Sequence, residues 1–154
     1  MSKTALHIVL VEPVIPWNTG NVGRTCVAIG AQLHLVEPLG FLLDDKHVKR
    51  AGLDYWQHVS PKIWPSWAAF EEALPELGEP YFFTAEAKND LWTPEYPENV
   101  VLVFGSETEG LPQDLRQRYA DRLVSLPMED GPIRSLNLST AAAVAAFEVL
   151  RQRS

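Results

Sequence analysis

Three polar stretches hold the residues able to do chemistry in this chain. The first, NTGNVGRT (18–25), follows an apolar run and carries Asn18, two glycines and Arg24. Glycines at a strand-to-helix turn let a ligand approach the backbone, and helix N-termini attract anions. An Arg one turn inside can grip a phosphate with two N–H groups. The spacing is G-x-x-G, neither the dinucleotide G-x-G-x-x-G nor a P-loop with its Lys-Ser/Thr pair. A capped helix start, with glycines for close packing, is the competing reading.

The second stretch is VFGSETEGLP (103–112), where Gly105, Ser106, Glu107, Thr108, Glu109 and Gly110 follow a strand-like run. Open α/β sheets bind ligands beyond the carboxyl ends of their strands. Two acids there would repel a phosphate; they suit a cationic or hydroxyl-rich ligand. A solvated turn before a helix opened by Pro112 is the plainer alternative. The third stretch is LPMEDGPIRSLNLSTAAAVAAF (126–147). Arg134, Ser135, Asn137 and Ser139 alternate with Ile133, Leu136 and Leu138 ahead of an Ala-rich helix. So polar a lead-in to so apolar a helix points to buried partners for it.

The elements that must position these stretches follow from pattern. LHIVLV (6–11) and VVLVFG (100–105) are continuous apolar runs, as strands covered on both faces are. QLHLVE (32–37), PYFFTA (80–85) and RLVSLP (122–127) are the other strands. Helices are expected over 19–30, with Asn18 or Thr19 as N-cap and Gly30 at its end, and over 44–52. Another is expected over 66–74, capped by Ser66 and stopped by Pro75. Two more follow, from Pro112 to about Ala120 and over 139–152, the last capped by Ser139 or Thr140. Residues 86–98 read as loop. The alternation predicts an α/β domain with a mainly parallel sheet flanked by helices.

Length and composition set outer bounds. The 154 residues suit one domain, 1–154, and 46% hydrophobic content supplies a core without staples. One cysteine, Cys26, excludes an internal disulfide, and the four His lack ligand spacing, so no metal site is expected. A reducing, cytoplasmic setting fits. The N-terminal apolar run is a strand rather than a signal peptide, and no stretch is apolar enough for a membrane span. Net charge is −7, which argues against a generic nucleic-acid binder. The surplus sits in one place: residues 71–98 hold eight acids and one Lys. Elsewhere charge is near balance, and Lys46, His47, Lys49 and Arg50 form a basic cluster. Cys26 reads best as core, His7 and His34 as core or edge histidines, and Trp56, Trp64 and Trp67 as packing a core or an interface rather than stacking bases.

Taken together, N-x-G-x-x-R-T, F-G-S-E-x-x-G-L-P and I-R-S-L-N-L-S-x-A resemble, in that order, the three motifs of the SPOUT class of RNA methyltransferases. IVLVEPVIPWNTGNVGRT, LVEPLGF, DDKHVKRAGLDYW and PMEDGPIRSLNLS narrow the resemblance to its tRNA 2′-O-methyltransferases of the wobble cytidine or uridine. The resemblance spans nearly the whole chain. It implies a SPOUT fold with a C-terminal deep trefoil knot, which general chain topology would disfavour. It implies a homodimer with a shared catalytic centre, for which helices 19–30 and 139–152 are interface candidates. It implies S-adenosylmethionine as cofactor, held by backbone groups around Ala85, Gly105, Leu126 and Ser135, with Glu107 facing its sulfonium or amino group.

The resemblance assigns Arg24 as the catalytic arginine. A guanidinium stays protonated, so phosphate or alkoxide stabilisation suits it better than proton abstraction. Asn18, Ser135 and Asn137 orient groups nearby. Arg24, Lys46, Lys49, Arg50 and Tyr55 are the expected RNA contacts, the aromatic ring stacking on an unpaired base of a tRNA anticodon loop. Phe147 departs from the resemblance, since relatives carry Tyr there. Two other readings stand beside this one. The target could be a different tRNA or ribosomal RNA ribose, or the chain could be a non-catalytic RNA-binding module.

Overall fold

The computed structural model describes residues 5–44, 46, 48, 50 and 53–154. Seven parallel strands form one sheet in the order β3-β2-β1-β6-β4-β7-β5. They are β1 (Leu6–Val11), β2 (Gln32–Val36), β3 (Lys62–Trp64), β4 (Glu79–Phe83), β5 (Asn89–Asp90), β6 (Val100–Phe104) and β7 (Leu123–Ser125). The helices are α1 (Pro16–Ile29), α2 (Trp67–Leu77), α3 (Gln113–Arg118) and α4 (Leu138–Arg153). From β1 the chain builds outward through β2 and β3, then returns to the other side of β1. The sheet therefore changes direction between β1 and β6.

Every residue of β1 and β6 is buried: alternate side chains face opposite sides of the sheet and both sides are covered, so both runs are apolar but for His7. Leu6, Ile8 and Leu10, in register with Val100, Leu102 and Phe104, face a core that holds Val22 and Cys26 of α1. Ala142, Ala145, Ala146 and Val149 of α4 complete that side. Val9, Val11, Val101 and Val103 face the other core, with Phe70, Leu74 and Phe82. Each such side chain contributes roughly 1.5–3 kcal/mol on burial. The alanines of α4 let it seat against α1 and β6. Burial raises the Cys26 thiol to about 12, so it stays a neutral core group.

Of the core and edge positions their strands allow, His7 and His34 take core ones. Trp64 Nε1 donates to His34 Nδ1 at 3.1 Å, so His34 carries its proton on Nε2, 2.9 Å from His7 Nδ1. Burial, then the charges of His7 and Lys62, lower His34 to about 3. Trp64 and Trp67 pack on Phe70, and Trp67 reaches Phe82 and Tyr119.

Several boundaries differ from the sequence pattern. Helix α1 starts at Pro16, not at 19. Pro75 does not stop α2, which takes it into a last turn that ends at Gly78, after Ser66 caps the start as expected. Strands β3 and β5 are too short and too polar to show in the sequence; β5, inside the expected loop 86–98, is held by β7. The expected helix 44–52 lies partly outside the described residues.

Candidate functional site

At the change of direction, the carboxyl ends of β4 and β6 and the exit of β7 open into a cleft of about 630 Å³. Stacked Phe83 and Phe104, with centroids 4.7 Å apart, lie at its strand ends. Ala85, Gly105, Glu107, Leu126, Ser135 and Asn137 all line it, as does Asn18. Three stretches spread over 120 residues of chain thus meet at one place.

Gly105 is a glycine for a reason internal to the fold. A Cβ there would lie 2.1 Å from the Gly110 carbonyl carbon and 2.2 Å from the Leu111 nitrogen. The space is taken by the chain's own backbone, not kept open for a ligand. Residues 106–110 close on themselves: Ser106 N–H donates to Gly110 O at 3.3 Å, and Gly110 N–H to Ser106 O at 3.0 Å. Glu109 N–H donates to Ser106 Oγ at 2.9 Å. Gly105 therefore shapes the rim, and the rim presents backbone groups to the cleft.

Glu107 leaves this rim and reaches the start of α1. Its carboxylate accepts Val14 N–H at 2.9 Å, Ile15 N–H at 3.0 Å and Asn18 Nδ2 at 3.2 Å. Its expected direct contact with a cofactor is thus accompanied by a task within the fold. A carboxylate at a helix N-terminus is favoured by the dipole and satisfies donors the helix leaves unpaired. That acceptor explains why α1 begins before Asn18. Asn18 is not an N-cap; it is buried, one turn inside the helix, and Ile15 is the cap residue without a side-chain bond.

The third stretch joins the same chain of bonds. Asn137, rather than Ser139 or Thr140, caps α4: its Oδ1 accepts Ser139 N–H at 2.9 Å and Thr140 N–H at 3.3 Å. With Oδ1 committed, Nδ2 donates to Asn18 Oδ1 at 3.0 Å. That fixes the Asn18 amide, whose Nδ2 then points at Glu107. The α4 cap, two amides and one carboxylate form a relay with a single direction of donation.

The glycine-rich stretch is not a phosphate turn. Residues 16–25 are helical throughout, and Gly23 is there for packing: a Cβ would sit 3.1 Å from Trp56 and 3.2 Å from Val59. Arg24 is exposed on α1 and does not line the cleft. Lys46 and Arg50 are exposed as well. Lys49 lies outside the described residues, as does the Tyr55 side chain. Sequence reasoning missed Glu86 and Arg116, which pair across the cleft wall, because neither belongs to a motif. No cluster of three metal-ligating side chains occurs among the described residues, and no helix among them is long and apolar enough to cross a membrane. A second cleft, of about 660 Å³, lies near Leu74, Pro97 and Arg122, away from all three stretches.

The main cleft suits a compact ligand. Strand-end N–H and C=O groups can read the edge of a planar heterocycle, the stacked phenylalanines supply apolar surface, and the carboxylate of Glu107, bonded only by neutral donors, keeps its negative charge for a cationic group. A nucleoside that carries a cationic group fits such a site.

Comparison with known proteins agrees. Residues 5–147 match the SpoU rRNA Methylase family. The chain is 45% identical to the tRNA (cytidine(34)-2′-O)-methyltransferase of Burkholderia ambifaria, over 95% of this chain and 94% of that one. It superposes, with a TM-score of 0.90 and 47% identity, on a structure solved to explain 2-OH methylation of C/U34 on tRNA, over 96% and 95% of the two chains. The SpoU methyltransferase AviRb from Streptomyces viridochromogenes, in complex with AdoMet, matches at 25% identity and a TM-score of 0.82. That match covers 99% of this chain and 60% of AviRb.

Proposed function

The chain belongs to the SpoU rRNA Methylase family, and on that premise we propose that it methylates the ribose 2′-hydroxyl of nucleotide 34, a cytidine or uridine, in tRNA. S-adenosylmethionine is the methyl donor. The observation that carries this reading is the cleft itself, where all three motifs converge on strand ends able to hold that cofactor.

When bound, the cofactor supplies an electrophilic methyl group. The chain's part is alignment and charge. Backbone groups at Ala85, Gly105 and Leu126 would read the nucleoside, and Ser135 would bond it from the facing segment. Glu107 keeps a negative charge near the cationic centre while it holds the start of α1. Asn18 and Asn137 keep the two helix starts in register with the rim, so that acceptor and donor meet in line. Arg24 stabilises the developing charge of the 2′-oxygen or its neighbouring phosphate.

Arg24 sits outside the cleft of its own chain, which supports a homodimer in which Arg24 of one protomer borders the cleft of the other. Val27 on α1, and Val144 and Phe147 on α4, are exposed apolar side chains, and the two helices pack together. Such a surface suits a partner copy. The anticodon loop would lie over Lys46, Lys49, Arg50 and Tyr55. Segment 126–137 is the crossing that closes the trefoil knot: it lines the cleft with the rim, and α4 beyond it packs back on α1 and β6. The chain acts as one domain in the cytoplasm.

The test is methyl transfer from labelled S-adenosylmethionine to tRNA lacking this modification, followed by nucleoside mass spectrometry. A 2′-O-methyl pyrimidine at position 34 is the expected product. Cofactor binding without transfer to any tRNA would overturn the substrate, and no cofactor binding would overturn the whole reading.

A further inference from the structure

Outside the three motifs, the cleft wall holds one more pair of charges. Glu86 follows Ala85 at the exit of β4, and Arg116 sits on α3, beyond the 105–112 rim; both line the cleft. Arg116 Nη1 donates to both Glu86 carboxylate oxygens, at 3.0 and 2.6 Å. The Arg116 side chain is 30% exposed against 67% for Glu86, and its Nε is buried. The guanidinium is therefore seated in the wall, and it holds the carboxylate in place. A carboxylate has about four lone-pair positions. One nitrogen of Arg116 uses only part of them, so acceptor capacity stays open on a carboxylate that lines the cleft.

Charge distinguishes this acid from the other one. Glu107 is bonded by two backbone N–H groups and an amide, all neutral, so its negative charge is not cancelled. Glu86 is neutralised by Arg116. A neutral pair with spare acceptor positions attracts an ammonium or sulfonium weakly, yet accepts hydroxyl hydrogens well. Two vicinal hydroxyls match the two oxygens of one carboxylate, and the residue directly follows Ala85, three positions past the end of β4.

We propose that Glu86, oriented by Arg116, accepts hydrogen bonds from the ribose hydroxyls of the cofactor's nucleoside half. The proposal rests on the cofactor reading above. Glu86 contacts the ligand; Arg116 is a positioning residue. The pair also ties the segment after β4 to the helix after the rim, so one ion pair sets the width of the nucleoside half of the cleft.

The experiment is calorimetric binding to the full chain, with three probes. S-adenosylhomocysteine has the ribose diol and the amino-acid tail; 5′-methylthioadenosine has the diol without the tail; the 2′,3′-dideoxy analogue of the latter lacks the diol. Glu86→Ala is expected to weaken the first two by a similar factor, about tenfold for the loss of charge-assisted bonds at a half-open site. The dideoxy analogue should bind wild type and variant alike. Arg116→Leu should show the same pattern in smaller measure, with Arg116→Lys partly restoring it. An equal loss for all three probes, or no loss for any, would overturn the proposal. A loss confined to S-adenosylhomocysteine would also overturn it, by placing Glu86 at the ammonium. Wild type that binds none of the probes would instead overturn the cofactor reading on which this one stands.

Discussion

Replacing Asn137 by Asp tests the direction of the relay that joins the motifs. The substitution keeps the shape of the side chain and keeps an acceptor for Ser139 N–H and Thr140 N–H. A carboxylate at the N-terminus of α4 is, taken alone, stabilising by about 0.3–1 kcal/mol. Only the other end of the side chain changes: the Nδ2 donor, 3.0 Å from Asn18 Oδ1, becomes an acceptor. The Asn18 amide must then rotate, and its oxygen turns toward the Glu107 carboxylate, or it must stay with two oxygens in contact. Asn18 is buried, so neither conflict is relieved by water. Losing a buried donor and leaving an acceptor unmatched costs roughly 1–3 kcal/mol. A net loss of about 1–2 kcal/mol is expected, read as a lower urea midpoint at unchanged m-value and fixed protein concentration. Glu107→Gln costs stability by itself, because the amide nitrogen that faces Asn18 replaces the oxygen that Ile15 N–H also uses. With Asn137→Asp that nitrogen can donate to the rotated Asn18 oxygen, so the two changes together should cost about 1 kcal/mol less than their sum, a coupling that a double-mutant cycle measures. A variant as stable as wild type, or a cycle with no coupling, would show that the relay does not transmit its polarity and that Asn137 acts on α4 alone.

Four further outcomes follow from the structure. Gly105→Ala forces the rim backbone apart, since its Cβ would lie 2.1 Å from Gly110; it should cost upwards of about 2 kcal/mol and abolish the thermal shift on adding S-adenosylhomocysteine. Arg24→Ala should abolish methyl transfer while leaving cofactor affinity within about threefold, because Arg24 does not line the cleft. Stability should fall with acid in a window set by His34. Its folded value is lowered to about 3 from 6.5, so the unfolded state binds the extra proton. The contribution is complete above 6.5 and is lost as pH falls toward 3, at about 1.4 kcal/mol per unit; urea unfolding at pH 7 and pH 5 should differ, and His34→Gln should flatten the difference. Phe147→Glu with Val144→Glu should halve the mass in analytical ultracentrifugation; a dimer that persists would move the interface off α1 and α4.

The two central strands, the family motifs and their order were readable from the chain, because each is a local property. A strand covered on both faces must be apolar or have its polar groups paired, and LHIVLV and VVLVFG fit, His7 being the one polar side chain and bonded to His34. The helices announced themselves by Ser66 at one start and Gly30 at one end, whose capping chemistry needs only neighbours. The motifs were also enough to assign the three stretches to one site. What each residue does there was not local. Asn18 looked like a helix cap because the pattern cannot show a carboxylate arriving from residue 107 to cap the helix earlier. Why residue 105 is a glycine was not legible either, because the backbone its Cβ would strike belongs to residues 110 and 111. Asn137 displaced the hydroxyls of Ser139 and Thr140 as cap because its other end had a partner on α1. Glu86 and Arg116 carried no signal at all, since an ion pair between residues 30 apart exists only once the segment after β4 meets α3. The sequence by itself determined which surfaces are buried and which stretches carry chemistry. Tertiary structure decided which donor meets which acceptor, because hydrogen bonds depend on distance and direction, and the chain supplies those only after it folds.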